Sequence, residues 1–142
     1  MKQGFIKVAA ITPKIKVADA KYNGQLMRTY MKNAEKAGAK IVVFPELSIT
    51  GASCGDLFFQ SKLLKAAKEE LMQLVSASKF YDAIYFVGMP YVINGKLYNV
   101  AVAISKGEVL GIVPKTYVRD ARWFATGAGL DTEEVLPNGQ IV

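Results

Sequence analysis

Three side chains in this 142-residue chain combine suitable chemistry with a suggestive local setting: Glu46, Lys115 and Cys54. Glu46 follows the apolar run Ile41-Val42-Val43-Phe44, directly behind Pro45. Open α/β sheets place their ligand sites at the carboxyl ends of such strands. A carboxylate half-sheltered there by apolar walls has a raised pKa and can work as a general base. The alternative is a loop glutamate that caps nearby amides. Lys115 stands at the end of Val109-Leu110-Gly111-Ile112-Val113. An ammonium held there can stabilise an oxyanion; the alternative is a solvated lysine before a turn. Cys54, within Ser53-Cys54-Gly55-Asp56, has no histidine to activate it, because the chain contains none. A reactive thiolate would need another cation or a helix N-terminus, so a small, half-buried hydrophobe is the expectation for this residue. With one cysteine and no histidine, neither a metal site nor a His-based triad is expected. Gly51, Gly55, Gly127 and Gly129 fall into no phosphate-binding pattern.

The elements that must position these residues are read from periodicity. Residues 5–11 form a first strand that stops at Thr12-Pro13, where proline removes a ladder donor. Asp19 is a helix N-cap. Behind it, Tyr22, Leu26, Met27, Tyr30, Met31 and Ala34 repeat on one apolar face; Gly24 weakens the helix and Gly38 ends it. Residues 41–44 suit a strand buried on both faces. A loop rich in Gly, Ser and Thr runs from Pro45 to about Asp56. Ser61 caps a second helix with Leu64, Ala67, Leu71, Leu74 and Val75 as its stripe. Residues 84–87 form a strand ended by Gly88 and Pro90; residues 91–93 and 96–104 pair across an Asn94-Gly95 turn. Lys106-Gly107 starts another reversal, and residues 109–113 complete a meander. Residues 140–142 look like the start of a further strand. Two βα units followed by a β-meander give an α/β layered sandwich.

Composition bounds the class. Hydrophobic residues make up 51% and charged residues 21%, as expected for one packed body with a modest core. No apolar run approaches the roughly 18–20 residues of a membrane span, and the N-terminus, with Lys2 and Lys7, lacks the apolar core of a secretory signal. A single cysteine makes no internal disulfide and fits a reducing cytoplasm. The net charge of +6 is scattered over the polar sides of amphipathic segments, so no nucleic-acid partner is expected.

Several ordered motifs then carry a resemblance. Phe44-Pro45-Glu46-Leu47-Ser48-Ile49-Thr50-Gly51, followed by Cys54-Gly55-Asp56-Leu57-Phe58, resembles the glutaminase (carbon-nitrogen hydrolase, nitrilase-like) domain of glutamine-dependent NAD synthetases. So do Val8-Ala9-Ala10-Ile11-Thr12-Pro13-Lys14-Ile15-Lys16-Val17-Ala18-Asp19, Gly95-Lys96-Leu97-Tyr98-Asn99, Gly111-Ile112-Val113-Pro114-Lys115-Thr116-Tyr117 and Arg122-Trp123-Phe124. The similarity runs from Gly4 to about Gly129. It implies part of an α-β-β-α nitrilase-like sandwich and a Glu-Lys-Cys triad. Glu46 matches the general base and Lys115 the lysine that stabilises the tetrahedral intermediate. The cysteine would attack the side-chain amide of glutamine without any cofactor. The ammonia released would pass to a C-terminal synthetase domain, which uses ATP and Mg to amidate nicotinic acid adenine dinucleotide. A homo-oligomer is also expected.

The match has three departures. The family's nucleophile lies on a strand after the Trp-Phe segment, so residues 1–142 are expected to be the N-terminal part of one glutaminase domain, inactive alone and without nucleophile or synthetase domain. Ala52 stands where the family commonly has an aromatic, and the segment Val118-Arg119-Asp120-Ala121 is several residues shorter than its counterpart over the pocket. Two other readings remain: another nitrilase-like amidase, disfavoured by the Cys-Gly-Asp-Leu-Phe and Arg-Trp-Phe segments, and a non-catalytic assembly or binding module using uncovered sheet faces and edges.

Overall fold

The computed structural model describes residues 3–119 and 121–142, so Lys2 and Asp120 lie outside the described residues. One five-stranded sheet runs in the order β1 (Val8–Ala10), β2 (Ile41–Val43), β3 (Ile84–Ile93), β4 (Lys96–Ser105), β5 (Glu108–Pro114). The first three strands are parallel and the last three antiparallel. Helices α1 (Ala20–Lys36) and α2 (Ser61–Ser78) cover one face. This is the α/β layering expected from two βα units and a meander.

The helices form largely as their periodicity predicts. Asp19 accepts the Tyr22 amide at 3.0 Å as the α1 N-cap, and Gly38 follows the helix with a positive φ of 79°. Met27, Met31 and Ala34 are buried, whereas Tyr22, Leu26 and Tyr30 flank the contact, because the stripe centres on Asn23 and Gly24. Gly24 therefore has a packing role: a Cβ there would meet the Glu70 carboxylate, which bridges to Arg28 at 2.7 Å where α1 and α2 cross. The α2 cap differs from expectation. Ser61 is already helical, and the Gln60 carbonyl at the N-cap accepts the amides of Leu63 and Leu64. Leu71, Leu74, Met27 and Met31 are fully buried against Val42, Tyr85, Val87 and Met89. Each large apolar side chain so buried contributes roughly 1.5–3 kcal/mol.

Several strand expectations need correction. β1 spans only three residues because β2, its only partner among the described residues, is equally short. Val43 and its neighbours are not buried on both faces: the helices cover one side, and Val8, Val43 and Val113 remain 63%, 44% and 66% exposed on the other. Nor do Gly88 and Pro90 end β3, which continues to Ile93. The Phe86 and Gly88 carbonyls accept from Phe44 and Ile49, so alternate residues of β3 turn their polar groups toward the β2 side. Pro90 follows in that series beyond the end of β2, where its missing N–H breaks no ladder.

The Asn94-Gly95 and Lys106-Gly107 pairs all have positive φ, as two-residue hairpin turns demand. Residues 140–142 do not open a new sheet strand. Ile141 makes one bridge to Val135, and the Gln140 side-chain amide pairs with both the N–H and carbonyl of Val109, at 3.0 and 2.7 Å. A side chain thus takes the place of a strand on this stretch of β5.

Candidate active site

The first component is the loop after β2. Phe44 continues the pairing by donating to the Phe86 carbonyl at 2.9 Å. The chain then turns through Pro45 and Glu46, and Leu47 adopts a positive φ of 53°, uncommon and strained for a non-glycine residue. The turn is locked on β3: Ile49 donates to the Gly88 carbonyl at 3.1 Å, and the Ser48 hydroxyl oxygen accepts the Gly88 amide at 3.2 Å. Gly88 is what permits this approach, because a Cβ there would collide with backbone atoms of Pro45, Glu46 and Leu47. Fully buried Asn23 braces the loop from below, donating to the carbonyls of Lys16 and Ile49 and accepting the Lys16 amide.

The second component is the end of β5. The Lys115 amide donates to the Asn99 carbonyl at 2.8 Å, and its carbonyl accepts the Gly127 amide at 2.9 Å. Its ammonium reaches back over the sheet to Glu46 Oε1 at 2.7 Å. Two residues separated by 69 positions in sequence are thereby brought into direct contact. The Asn99 side chain, only 6% exposed, donates to the same carboxylate oxygen at 2.5 Å.

These donors decide the electrostatics of Glu46. The hydrogen bond from Lys115 holds its carboxyl below the ordinary 4.5, against an opposing effect of partial burial, and the Asn99 amide and Arg119 charge pull the same way. The expectation of a raised pKa is therefore overturned. Apolar walls are present, but donors aimed at the charged form outweigh them. Glu46 is therefore an ionised carboxylate at neutral pH.

Two clefts meet at this trio. One, of about 390 Å³, lies along the open sheet face beside Val43, Phe86, Ala101 and Val113. The other, of about 530 Å³, is lined by Ala52, Tyr117, Arg119 and Phe124. Glu46, Asn99 and Lys115 border both. Arg119, from the shortened 118–121 segment, thus brings a cation to the pocket near the site; Asp120 of that segment lies outside the described residues.

Cys54 takes no part in this constellation. It is 5% exposed, and its thiol is directed at the carbonyls of Thr50 and Gly51 at 3.3 and 3.4 Å. Burial pushes the thiol pKa up, the opposite of what a nucleophile needs. It packs with Leu47, Phe58, Leu63 and Phe124 in a small second core. That core joins two motifs distant in sequence. Phe58 and Phe124 pack edge to face at 4.9 Å between centroids, the Trp123 indole donates to Asp56 at 3.0 Å, and Arg122 pairs with the same carboxylate at 3.4 Å. Of this second core, Leu47 and Phe124 also line the larger cleft.

Asn99 and Gly88 are the site residues that sequence reasoning missed. Asn99 had a signal, a polar side chain inside the apolar run Tyr98-Asn99-Val100-Ala101-Val102. Gly88 had none, since its role depends on a loop about forty residues away.

The chain is similar to several known proteins. Residues 7–140 match the carbon-nitrogen hydrolase family. The chain is 36% identical over 123 residues to the glutamine-dependent NAD(+) synthetase of Mycobacterium tuberculosis H37Rv, covering 87% of this chain and 18% of that relative. It superposes on the crystal structure of a glutamine-dependent NAD(+) synthetase from Cytophaga hutchinsonii with a TM-score of 0.85 at 24% identity, covering 93% of this chain and 24% of the other. Saccharomyces cerevisiae Nit3, a member of the nitrilase superfamily, shares the fold with a TM-score of 0.71 at 19% identity, covering 93% of this chain and 52% of that one. The helix-covered sheet is one α-β half of the nitrilase-like sandwich. The chain spans about a fifth of the length of the synthetases it matches.

Proposed function

The chain belongs to the carbon-nitrogen hydrolase family, and on that premise we propose that it is the N-terminal part of a glutaminase domain feeding ammonia to an NAD synthetase. The observation that carries this reading is the 2.7 Å contact between Glu46 and Lys115 at a two-sided cleft. Glu46 is the general base. It takes the proton of a cysteine thiol as sulfur attacks the side-chain carbonyl carbon of glutamine. Lys115 stabilises the oxyanion of the tetrahedral adduct. Protonated Glu46 then returns the proton to the departing nitrogen, which leaves as ammonia, and a thioester remains. In the second half Glu46 activates water, which releases glutamate and restores the thiol. The buried, carbonyl-bonded thiol of Cys54 is unsuited to the attack, so the nucleophile comes from outside these 142 residues.

The glutaminase step needs no cofactor. ATP and Mg belong to the C-terminal synthetase domain, which amidates nicotinic acid adenine dinucleotide with the ammonia supplied. The open sheet face, with Val8, Val43 and Val113 exposed, favours packing against the rest of the sandwich in the complete protein. The 142-residue chain alone should self-associate, seen as concentration-dependent sedimentation. The location proposed is cytoplasmic; among the described residues, no helix is long and apolar enough to cross a membrane.

The test is ammonia release from glutamine. The product of the complete reading frame should be active, and Glu46→Gln and Lys115→Met should each lower kcat by on the order of 10³ or more. The 142-residue chain should release no more than its Glu46→Ala control. Activity in the chain alone would overturn the assignment of the nucleophile. Near wild-type turnover by Glu46→Gln would overturn the base.

A further inference from the structure

Building on the glutaminase reading, we propose that Asn99 is a positioning residue that fixes Glu46 and Lys115 relative to each other and leaves Glu46 Oε2 as the oxygen that exchanges protons. Asn99 touches both partners. Its side-chain amide donates to Glu46 Oε1 at 2.5 Å, and its backbone carbonyl accepts the Lys115 amide at 2.8 Å. It sits in β4, which is paired with β3 on one side and β5 on the other, and its side chain is buried. A residue held in the middle of a sheet is a stiffer support than the loops that carry Glu46 and Lys115.

The chemistry of the contact is one-directional. An ionised carboxylate only accepts hydrogen bonds, so Asn99 must present its NH₂ group and not its carbonyl. Oε1 then receives two donors, Asn99 and Lys115. Among the described residues, no donor reaches Oε2. With Oε1 saturated, the free lone pairs of Oε2 are those available to a thiol or water proton. Three further groups border the site: Lys115 from the end of β5, and Tyr117 and Arg119 from the segment after it, of which Lys115 and Arg119 are the cations. Replacing Asn99 leaves all three in place.

The experiment pairs Asn99→Leu, which removes the donor, with Asn99→Asp, which keeps the side-chain shape but sets a carboxylate against a carboxylate. Glu46 is titrated by carboxyl ¹³C NMR in the product of the complete reading frame, with Glu46→Gln assigning the resonance. The acid limb of kcat/KM for ammonia release is measured on the product of the complete reading frame. In Asn99→Leu the Glu46 titration and the acid limb should both move upward together. In Asn99→Asp the two carboxyls titrate as a coupled pair, and the upper apparent pKa of the pair should lie about one pH unit or more above that of wild-type Glu46. Thermal melts verify that both variants are folded. Should Asn99→Leu fail to fold, Asn99→Asp carries the same test with the larger expected move. A lowered Tm with unmoved Glu46 titration and unmoved acid limb overturns the proposal and leaves Asn99 a packing residue. If the wild-type product releases no ammonia, the glutaminase reading fails on its own, while the NMR titration still decides whether Asn99 holds Glu46.

Discussion

Gly88→Ala is the most demanding perturbation of this structure, because it changes one methyl group far in sequence from either charged residue. An ideal Cβ at Gly88 lies 2.7 Å from the Pro45 carbonyl oxygen and 2.9 Å from the Glu46 carbonyl carbon, and closer still to the Leu47 amide nitrogen. All three are backbone atoms, so no side chain can swing aside. Ordinary contact requires roughly 3.5 Å, so the loop must retreat from β3 by at least several tenths of an ångström. That retreat strains the Ile49–Gly88 and Gly88–Ser48 hydrogen bonds. It also carries Glu46 away from Asn99 on β4 and from Lys115 just beyond the end of β5. Overpacking of this kind costs about 1–3 kcal/mol, a fall of about 3–10 °C in Tm for a domain of this size. Misplacing a reacting group by up to an ångström costs about 10- to 100-fold in rate. The assays are a thermal melt of the chain and kcat/KM for ammonia release by the complete product. An alanine variant with unchanged Tm and rate would refute the claim that the Glu46 loop is seated on β3 through this contact.

The remaining predictions concern neighbouring features. Asp56→Ala should change the emission of Trp123, the only tryptophan, by removing its indole acceptor, with a stability loss of about 0.5–1 kcal/mol; an unchanged spectrum would dissolve the link between the two motifs. Cys54→Ala should cost about 1 kcal/mol in a melt and leave glutaminase turnover intact, while native Cys54 should react slowly with an aromatic disulfide until the chain unfolds. Loss of turnover in Cys54→Ala, with the fold preserved, would reopen its candidacy as nucleophile. For pH dependence, Glu46 has a folded pKa below its ordinary 4.5. Its contribution to stability is therefore present above that value and lost as pH falls through the folded one. The Tm gap between wild type and Glu46→Gln should be constant at neutral pH and close on acidification below about pH 4.5; a gap that widens there would reverse the sign of the argument.

What could be read from the sequence was what depends on nearest neighbours. The Asn94-Gly95 turn, the Asp19 cap and the Gly38 terminus each follow from local backbone requirements, and each stands where expected. Helix faces followed from period, apart from the offset produced where Gly24 admits Glu70. The errors share a different cause. Reading Gly88 and Pro90 as a strand end treated them as local breakers, yet both are tolerated because β2 is short and a loop takes its place. The raised pKa expected for Glu46 counted burial but not the donors of Lys115 and Asn99, which arrive from strands fifty or more residues away. The fold of the site was legible; its electrostatics depended on contacts between distant segments.

The most direct test of the central claim compares two nitrogen sources for one enzyme. In the product of the complete reading frame, NAD formation is measured with glutamine and, separately, with free ammonium, for wild type and Glu46→Gln. If Glu46 is the base of a glutaminase that feeds a synthetase, Glu46→Gln loses the glutamine-driven reaction and keeps the ammonium-driven one at the wild-type rate. Equal rates with glutamine in both proteins, or loss of both reactions together in a folded variant, would contradict the account.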